Sequence, residues 1–227
     1  MNAIIKAQAV TLQYSTDVKP IISDLNLEIT IGSFVVVTGK SGSGKTTLVQ
    51  SLYGEKTLDA GTMHVCGFNL TNIASKHLRL LRRQLGIIFQ DYRLIEEWTV
   101  AENVLLPLKI QGYSHATCTK QVEKVLSHVK LLHKSNHYPS QLSGGEQQRV
   151  GIARAIAHNP LLIIADEPTG NLDSYSSEVI WNLLQSINKQ LGTTILLATH
   201  QVPNLSQLDV KHYDLHDGKC RKVSNKT

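Results

Sequence analysis

Little in this sequence would serve a cross-linked or membrane-inserted protein. Its 227 residues include three cysteines, Cys66, Cys118 and Cys220, odd in number, scattered and without C-x-x-C spacing. That excludes a disulfide framework and a zinc site and suits a reducing compartment. No stretch approaches the ~18 apolar residues of a spanning helix, and the first seven residues lack the apolar run of a secretory signal. There is no internal repeat, no low-complexity segment and no Pro/Gly/Ser-rich linker. An apolar fraction of 41% with 18% charged residues excludes disorder, collagen-like repeats and an integral membrane protein. Lys and Arg outnumber Asp and Glu by 23 to 18, a formal charge of +5 that permits contact with an anionic surface without demanding it. The expectation is a cytosolic, soluble chain of one large domain, or one with an inserted lobe, reaching any membrane through a partner. A chain this long buries roughly 70–75% of its unfolded surface and needs no staple.

The first thirty residues alternate short apolar stretches with turn signals, as in Val10–Tyr14 and Leu25–Ile29, which predicts antiparallel strands with one wet face. Three compact apolar runs, Phe34–Val37, Leu161–Ala165 and Thr194–Ala198, read as strands buried on both sides. Helical stretches between them predict a mainly parallel α/β sheet. From about residue 91 to 158 helical periodicity takes over. Val122, Val125, Leu126, Val129 and Leu132 share a face, with Lys120, Glu123, Lys124 and Lys130 on others. Val179, Ile180, Leu183, Leu184, Ile187 and Leu191 mark another amphipathic helix, with Gly192 at its C-cap.

Three motifs carry chemistry. The run Gly39-Lys40-Ser41-Gly42-Ser43-Gly44-Lys45-Thr46, followed by Thr47, fits G-x-x-x-x-G-K-[ST] directly after a strand, the context of a P-loop. Its backbone N–H groups and the following helix N-terminus suit a polyphosphate. Lys45 would reach the β- and γ-phosphates and the Thr46 hydroxyl would ligate Mg²⁺. The strand Leu161–Ala165 ends in Asp166-Glu167. Asp166 would hold Mg²⁺ and Glu167 would polarise a water as general base; taken alone, two such acids could equally start a loop or cap a helix. In Leu142-Ser143-Gly144-Gly145-Glu146-Gln147, Ser143-x-x-Glu146 is a capping box. Capping does not explain Gly144-Gly145, which weakens a helix but exposes N–H groups at its start, a second anion site without a lysine.

In this order, P-loop, Gln90, Leu142–Gln147, Asp166-Glu167 and His200, the sequence resembles the nucleotide-binding subunit of an ABC (ATP-binding cassette) system over nearly its whole length. The resemblance implies an α/β P-loop NTPase core with an N-terminal antiparallel β-subdomain (residues 1–90 and 159–227) and an inserted α-helical lobe (residues 91–158). It implies an Mg²⁺-dependent ATPase and a head-to-tail homodimer, with ATP between one P-loop and the other copy's Ser143-Gly144-Gly145. It makes Tyr14 the aromatic stacked on adenine, although Tyr14 could be an ordinary strand aromatic. Gln90 becomes a sensor of Mg²⁺ and the attacking water, Asp173 part of a loop between the two sites, and His200 a γ-phosphate contact.

The match sharpens at Leu81–Gly86, Leu142–Arg149 and Ala165–Asp173, which look like the group holding the cell-division, lipoprotein-release and MacB cassettes (FtsE, LolD, MacB), with Arg82-Arg83-Gln84, Phe89-Gln90-Asp91 and Glu146–Arg149 favouring the cell-division kind. Gln201 departs from the aspartate usual after the histidine. The resemblance implies a peripheral protein on the cytoplasmic face of the inner membrane, signalling through an FtsX-type membrane partner to peptidoglycan hydrolases. Lipoprotein release or export is the alternative. The segment Asp91–Trp98, starting at Gln90, mixes large apolar side chains with both charge signs and is the expected docking surface, unless Leu94, Ile95 and Trp98 fill the lobe's core. A nucleic-acid role is not expected: the basic residues are dispersed, and Lys219, Arg221, Lys222 and Lys226 read as a solvated tail.

Overall fold

The computed structural model describes residues 3–14, 19–200 and 210–223; Met1, Asn2, Gln201 and Lys226 lie outside them. In chain order the elements are β1 (Ala3–Leu12), β2 (Ile22–Thr30), β3 (Phe34–Thr38), α1 (Lys45–Leu52), β4 (Ala60–Val65), β5 (Phe68–Asn69), α2 (Ser75–Arg82) and β6 (Leu85–Ile88). Three helices follow, α3 (Val100–Gln111), α4 (His115–His128) and α5 (Gly144–Ile156), with short 3-10 turns before α5. The chain then returns through β7 (Leu162–Asp166), α6 (Ser174–Leu191), β8 (Thr194–Thr199), β9 (Lys211–His216) and β10 (Lys219–Lys222). The strands form an antiparallel sheet, β2-β1-β4-β5, and a six-stranded sheet, β10-β9-β3-β8-β7-β6, parallel except for the β9–β10 hairpin. This is the ABC-type α/β architecture expected, and no described helix is long and apolar enough to cross a membrane.

The buried strands work by their period of two. Phe34 and Val36 of β3, Ile163 and Ala165 of β7, and Ile195 and Leu197 of β8 enter one core with α3–α6. Their neighbours Val35, Val37, Leu162, Ile164, Leu196 and Ala198 enter a second core with α1 and the antiparallel sheet. Phe34 stacks on Trp181 of α6 across 6.2 Å. The helices between β6 and β7 do not have a core of their own: Val104, Leu126 and Val150 belong to the same cluster as the sheet's first face.

Several local expectations are corrected. β1 stops at Leu12, so Tyr14 is not a strand aromatic; it is 67% exposed beyond the strand end. β7 begins at Leu162, leaving Leu161 exposed. α4 ends at His128 because Lys130 takes a left-handed φ of 60°, and Leu132 is consequently exposed in a 3-10 turn. Leu191 is exposed at the end of α6, just before the left-handed Gly192 cap. Lys219, Arg221 and Lys222 are not a tail: they form the exposed edge strand β10 after an Asp217-Gly218 turn. Charges on an edge discourage pairing with another chain.

Candidate nucleotide site

The parallel strands β3, β7 and β8 end side by side, and the loops leaving them converge on an open cleft of about 460 Å³. Tyr14, Ser41, Gly42, Gly44, Lys45, Thr46, Thr47, Gln90, Glu167 and His200 line it. Ten residues expected from widely separated motifs thus meet at one place. The loop needs its glycines: Gly44, just before α1, has φ 100°, which a side chain resists. α1 therefore starts with free N–H groups at the cleft, where a helix end favours negative charge. Gly39, Lys40 and Ser43 do not line this cleft: Gly39 packs against Ser43 within the loop, and Ser43 and the exposed Lys40 line a neighbouring hollow.

The Lys45 ammonium is 6% exposed, donates to the carbonyls of Gly39 (3.0 Å) and Lys40 (3.2 Å), and stands 3.4 Å from Glu167 Oε1. Glu167 itself has a left-handed φ of 45°, an uncommon conformation for a residue with a side chain. Backbone bonds hold it there, from its N–H to Ala198 O and from Gly170 N–H to its own carbonyl. Its carboxylate accepts from Thr199 Oγ1 (2.9 Å), His200 N–H (3.1 Å) and His200 Nδ1 (2.9 Å). Burial pushes the Glu167 carboxyl up, but these donors and the Lys45 charge hold it below the usual carboxylate range. It is ionised at neutral pH, so it can orient and polarise a water by charge.

Asp166 behaves oppositely. Burial raises its pKa, against the hydrogen bond from the Thr46 side chain. Its Oδ1 is buried without a hydrogen-bond partner. An orphaned carboxylate oxygen beside a threonine hydroxyl suits a hard, oxygen-seeking divalent cation. Thr46 and Asp166 thus fit Mg²⁺, with the exposed Gln90 across the cleft.

Tyr14 presents its ring to the cleft while its hydroxyl bonds to Gln50 (3.3 Å) and lies 3.4 Å from Thr47 Oγ1. Lys56 Nζ sits 5.6 Å from the ring centre. An exposed ring held at its tip can stack on a planar base.

Four expected residues lie elsewhere. Among the described residues lining the cleft, none is Ser143, Gly144, Gly145 or Asp173. Ser143 caps α5: its Oγ accepts from Glu146 N–H, and Glu146 accepts from Ser143 N–H and from Lys134. Asp173 caps α6 by accepting from the N–H and hydroxyl of Ser176. The structure also gives the glycine pair a packing reason. A Cβ on Gly144 would stand 3.0 Å from Tyr92 Oη, and one on Gly145 would stand 3.0 Å from Ser176 Oγ.

Some participants carried no sequence signal. Asn171 and Gln90 exchange hydrogen bonds, Nε2 to Oδ1 and Nδ2 to the Gln90 carbonyl, each 3.2 Å. The fully buried Gln148 of α5 donates to Pro168 O at 2.7 Å, linking the helix behind Ser143 to the turn after Glu167. The loop after Gln90 is pinned at two points. Arg154 grips the carbonyls of Tyr92 (2.8 Å) and Arg93 (2.6 Å), both in left-handed backbone. Buried Asn103 accepts from Ile95 N–H and donates to Ile95, Trp98 and Thr99 carbonyls. Asn103 had a signal: a lone polar residue on the buried stripe Val100, Val104, Leu108 of α3.

A P-loop at the ends of parallel strands, with a carboxylate pair and a histidine around it, defines a P-loop nucleotide-binding protein. The chain belongs to the ABC transporter family, whose model matches residues 22–170. It is 44% identical over 202 residues to the cell division ATP-binding protein FtsE of Streptococcus pneumoniae, covering 89% of this chain and 87% of that one. It is 41% identical to the lipoprotein-releasing system ATP-binding protein LolD of Francisella tularensis, covering 94% and 92%. Among solved structures it is similar, at TM-score 0.87 and 33% identity over 98% and 99% of the two chains, to a dimeric post-hydrolysis state of the ATP-binding cassette MJ0796 bound to ADP and phosphate.

Proposed function

We propose that the chain binds ATP with Mg²⁺ in this cleft and hydrolyses it between two copies packed head to tail, as the ATPase subunit of an FtsEX-type cell-division complex on the cytoplasmic face of the inner membrane. In this reading Tyr14 stacks on the base, residues 39–47 hold the phosphates with Lys45 on the β- and γ-groups, and Thr46, Asp166 and Gln90 hold the cation. Bound Mg²⁺ would neutralise phosphate charge. Glu167 orients the water and His200 contacts the γ-phosphate. The partner copy's Ser143, Gly144 and Gly145 close the site over the nucleotide, and Asp173 lies between the two sites. The observation that carries the dimer is the separation within one chain: the N–H groups at the start of α5 lie off the cleft that holds Lys45 and Glu167. The dimeric neighbour supports it.

Residues 91–158 then act as the helical unit that moves against the core, and an FtsX-type membrane protein docks at Gln90–Trp98. Within that loop Leu94 packs against the core and Tyr92 is half-buried, whereas Asp91, Arg93, Glu96, Glu97 and Trp98 are exposed. Trp98 is therefore the anchor to test. The FtsE relative supports the cell-division role, and the LolD relative supports lipoprotein release as the second reading. Trp98→Asp should abolish co-purification with the membrane partner without loss of ATP binding by the purified chain. Co-purification with an FtsX-like membrane protein or with the membrane protein of a lipoprotein-releasing system separates the two roles, and recovery of neither overturns both.

A further inference from the structure

Away from the cleft, the exposed side of α2 and the end of α3 enclose a groove of about 400 Å³. Lys76, Arg79 and Leu80, and Arg83 follow one another at helical spacing along it, over about 10 Å of helix. Pro107 and Ile110 face them from α3, and the Gln111 side chain joins the two elements by donating to the Arg83 carbonyl. The charge here is of one sign. Between Asp59 and Asp91 the sequence has no acidic residue. Asp59 is paired with Lys56, and Asp91 with Arg93. Among the described residues no ion pair involves Lys76, Arg79, Arg82 or Arg83. Arg82 instead donates to the carbonyls of Tyr53 and Gly54, which leaves the other three as the uncompensated charges. Apolar side chains stand out beside them: Leu80 is 41% and Ile110 52% exposed.

We infer that this basic, apolar-studded face is a membrane-contact surface that binds the phosphodiester headgroups of anionic lipids directly. A cluster of basic residues flanking protruding apolar groups is the composition of an interfacial element, attracted by charge and held by shallow insertion. A site for an acidic protein segment would instead mix charge signs to set its register, and no acidic residue lines this groove. α3 places the groove at its far end from the Gln90–Trp98 loop, so lipid contact would hold the subunit at the bilayer independently of any docked protein.

The test is co-sedimentation of the purified full chain with vesicles of phosphatidylcholine alone or mixed with phosphatidylglycerol, at low and high salt. Binding is expected only with phosphatidylglycerol and only at low salt. Lys76→Gln/Arg79→Gln/Arg83→Gln should weaken it about 10²-fold, from roughly fivefold per basic residue near the surface. Thermal midpoint and ATP affinity should stay at wild-type values, since these side chains are exposed and outside the cleft. Leu80→Ser/Ile110→Ser should also weaken binding at low salt, without changing its requirement for phosphatidylglycerol. Equal binding to both vesicle types, no binding to either, or wild-type binding by the triple variant overturns the proposal. If vesicle binding is absent yet the triple variant loses a membrane protein recovered with the wild type in neutral detergent, the face recognises an acidic protein segment instead.

Discussion

His200 Nδ1 stands 2.9 Å from Glu167 Oε2, so the histidine's ring donates to the carboxylate that must handle water. This bond, with that from Thr199, keeps Glu167 ionised and aimed at the cleft. Glu167→Gln preserves the shape and removes the charge. ATP should bind as in wild type while turnover falls about 10²-fold or more, read by equilibrium binding and phosphate release. Wild-type turnover would remove Glu167 from the mechanism.

Lys45→Ala should behave differently. The ammonium is already directed by two carbonyls of its own loop, so little reorganisation is needed when a polyphosphate enters. Affinity and turnover should both fall, and nucleotide titration followed by fluorescence measures the first independently of the second. Unchanged affinity would place the phosphates elsewhere.

Sharing of the site between copies is tested by mixing two inactive proteins. Ser143→Arg should leave nucleotide binding nearly intact while blocking the partner's site by bulk and charge. A heterodimer of Ser143→Arg and Lys45→Ala has one site with both defects and one with neither. Partial recovery of ATPase activity is expected, and none at any ratio, with heterodimers demonstrated, would rule out sharing.

The α5 cap gives a pH signature. The hydrogen bond from Lys134, outweighing partial burial, and the capping bonds of Ser143 bring the Glu146 carboxyl from its ordinary 4.5 down to about 2. A depressed carboxylate stabilises the fold fully above the unfolded value and loses that contribution as pH falls from about 4.5 towards about 2. Lys134→Met should therefore lower the urea midpoint at pH 7, with a smaller difference from wild type at pH 3. NMR titration should find Glu146 nearer its ordinary value; an unmoved pKa would mean Lys134 does not set it.

Asn103→Leu removes one acceptor and one donor group that together serve four backbone partners in the loop after Gln90. Leaving such groups buried and unpaired costs roughly 1–3 kcal/mol each. A loss of at least about that size in denaturant-derived stability is expected, with hydrogen exchange rising first at residues 95–99.

The P-loop and the Asp166-Glu167 pair were legible because their chemistry requires contiguous residues, and the three central strands because burial on both faces leaves unbroken apolar runs. Asn171, Thr199 and Gln148 were not, because their partners Gln90, Glu167 and Pro168 lie 81, 32 and 20 residues away. In sequence the apolar stripe runs on through Val129 and Leu132, but the left-handed backbone at Lys130 accompanies the end of α4 at His128. β10 was misread because its charges hide its strand character. The Asp217-Gly218 turn was the available signal, since such a pair favours a tight hairpin.

The alternation of Phe34–Val37 between two cores has a consequence for how this chain can change. A single residue inserted into β3 would turn Phe34 and Val36 towards α1 and Val35 and Val37 towards α6, exchanging large and small side chains in both cores at once. It would also rotate the start of the phosphate loop by half a turn of the strand. Loops elsewhere can lengthen freely, but β3 cannot drift without the active centre failing along with the fold. The aim of the P-loop is therefore proofread by packing.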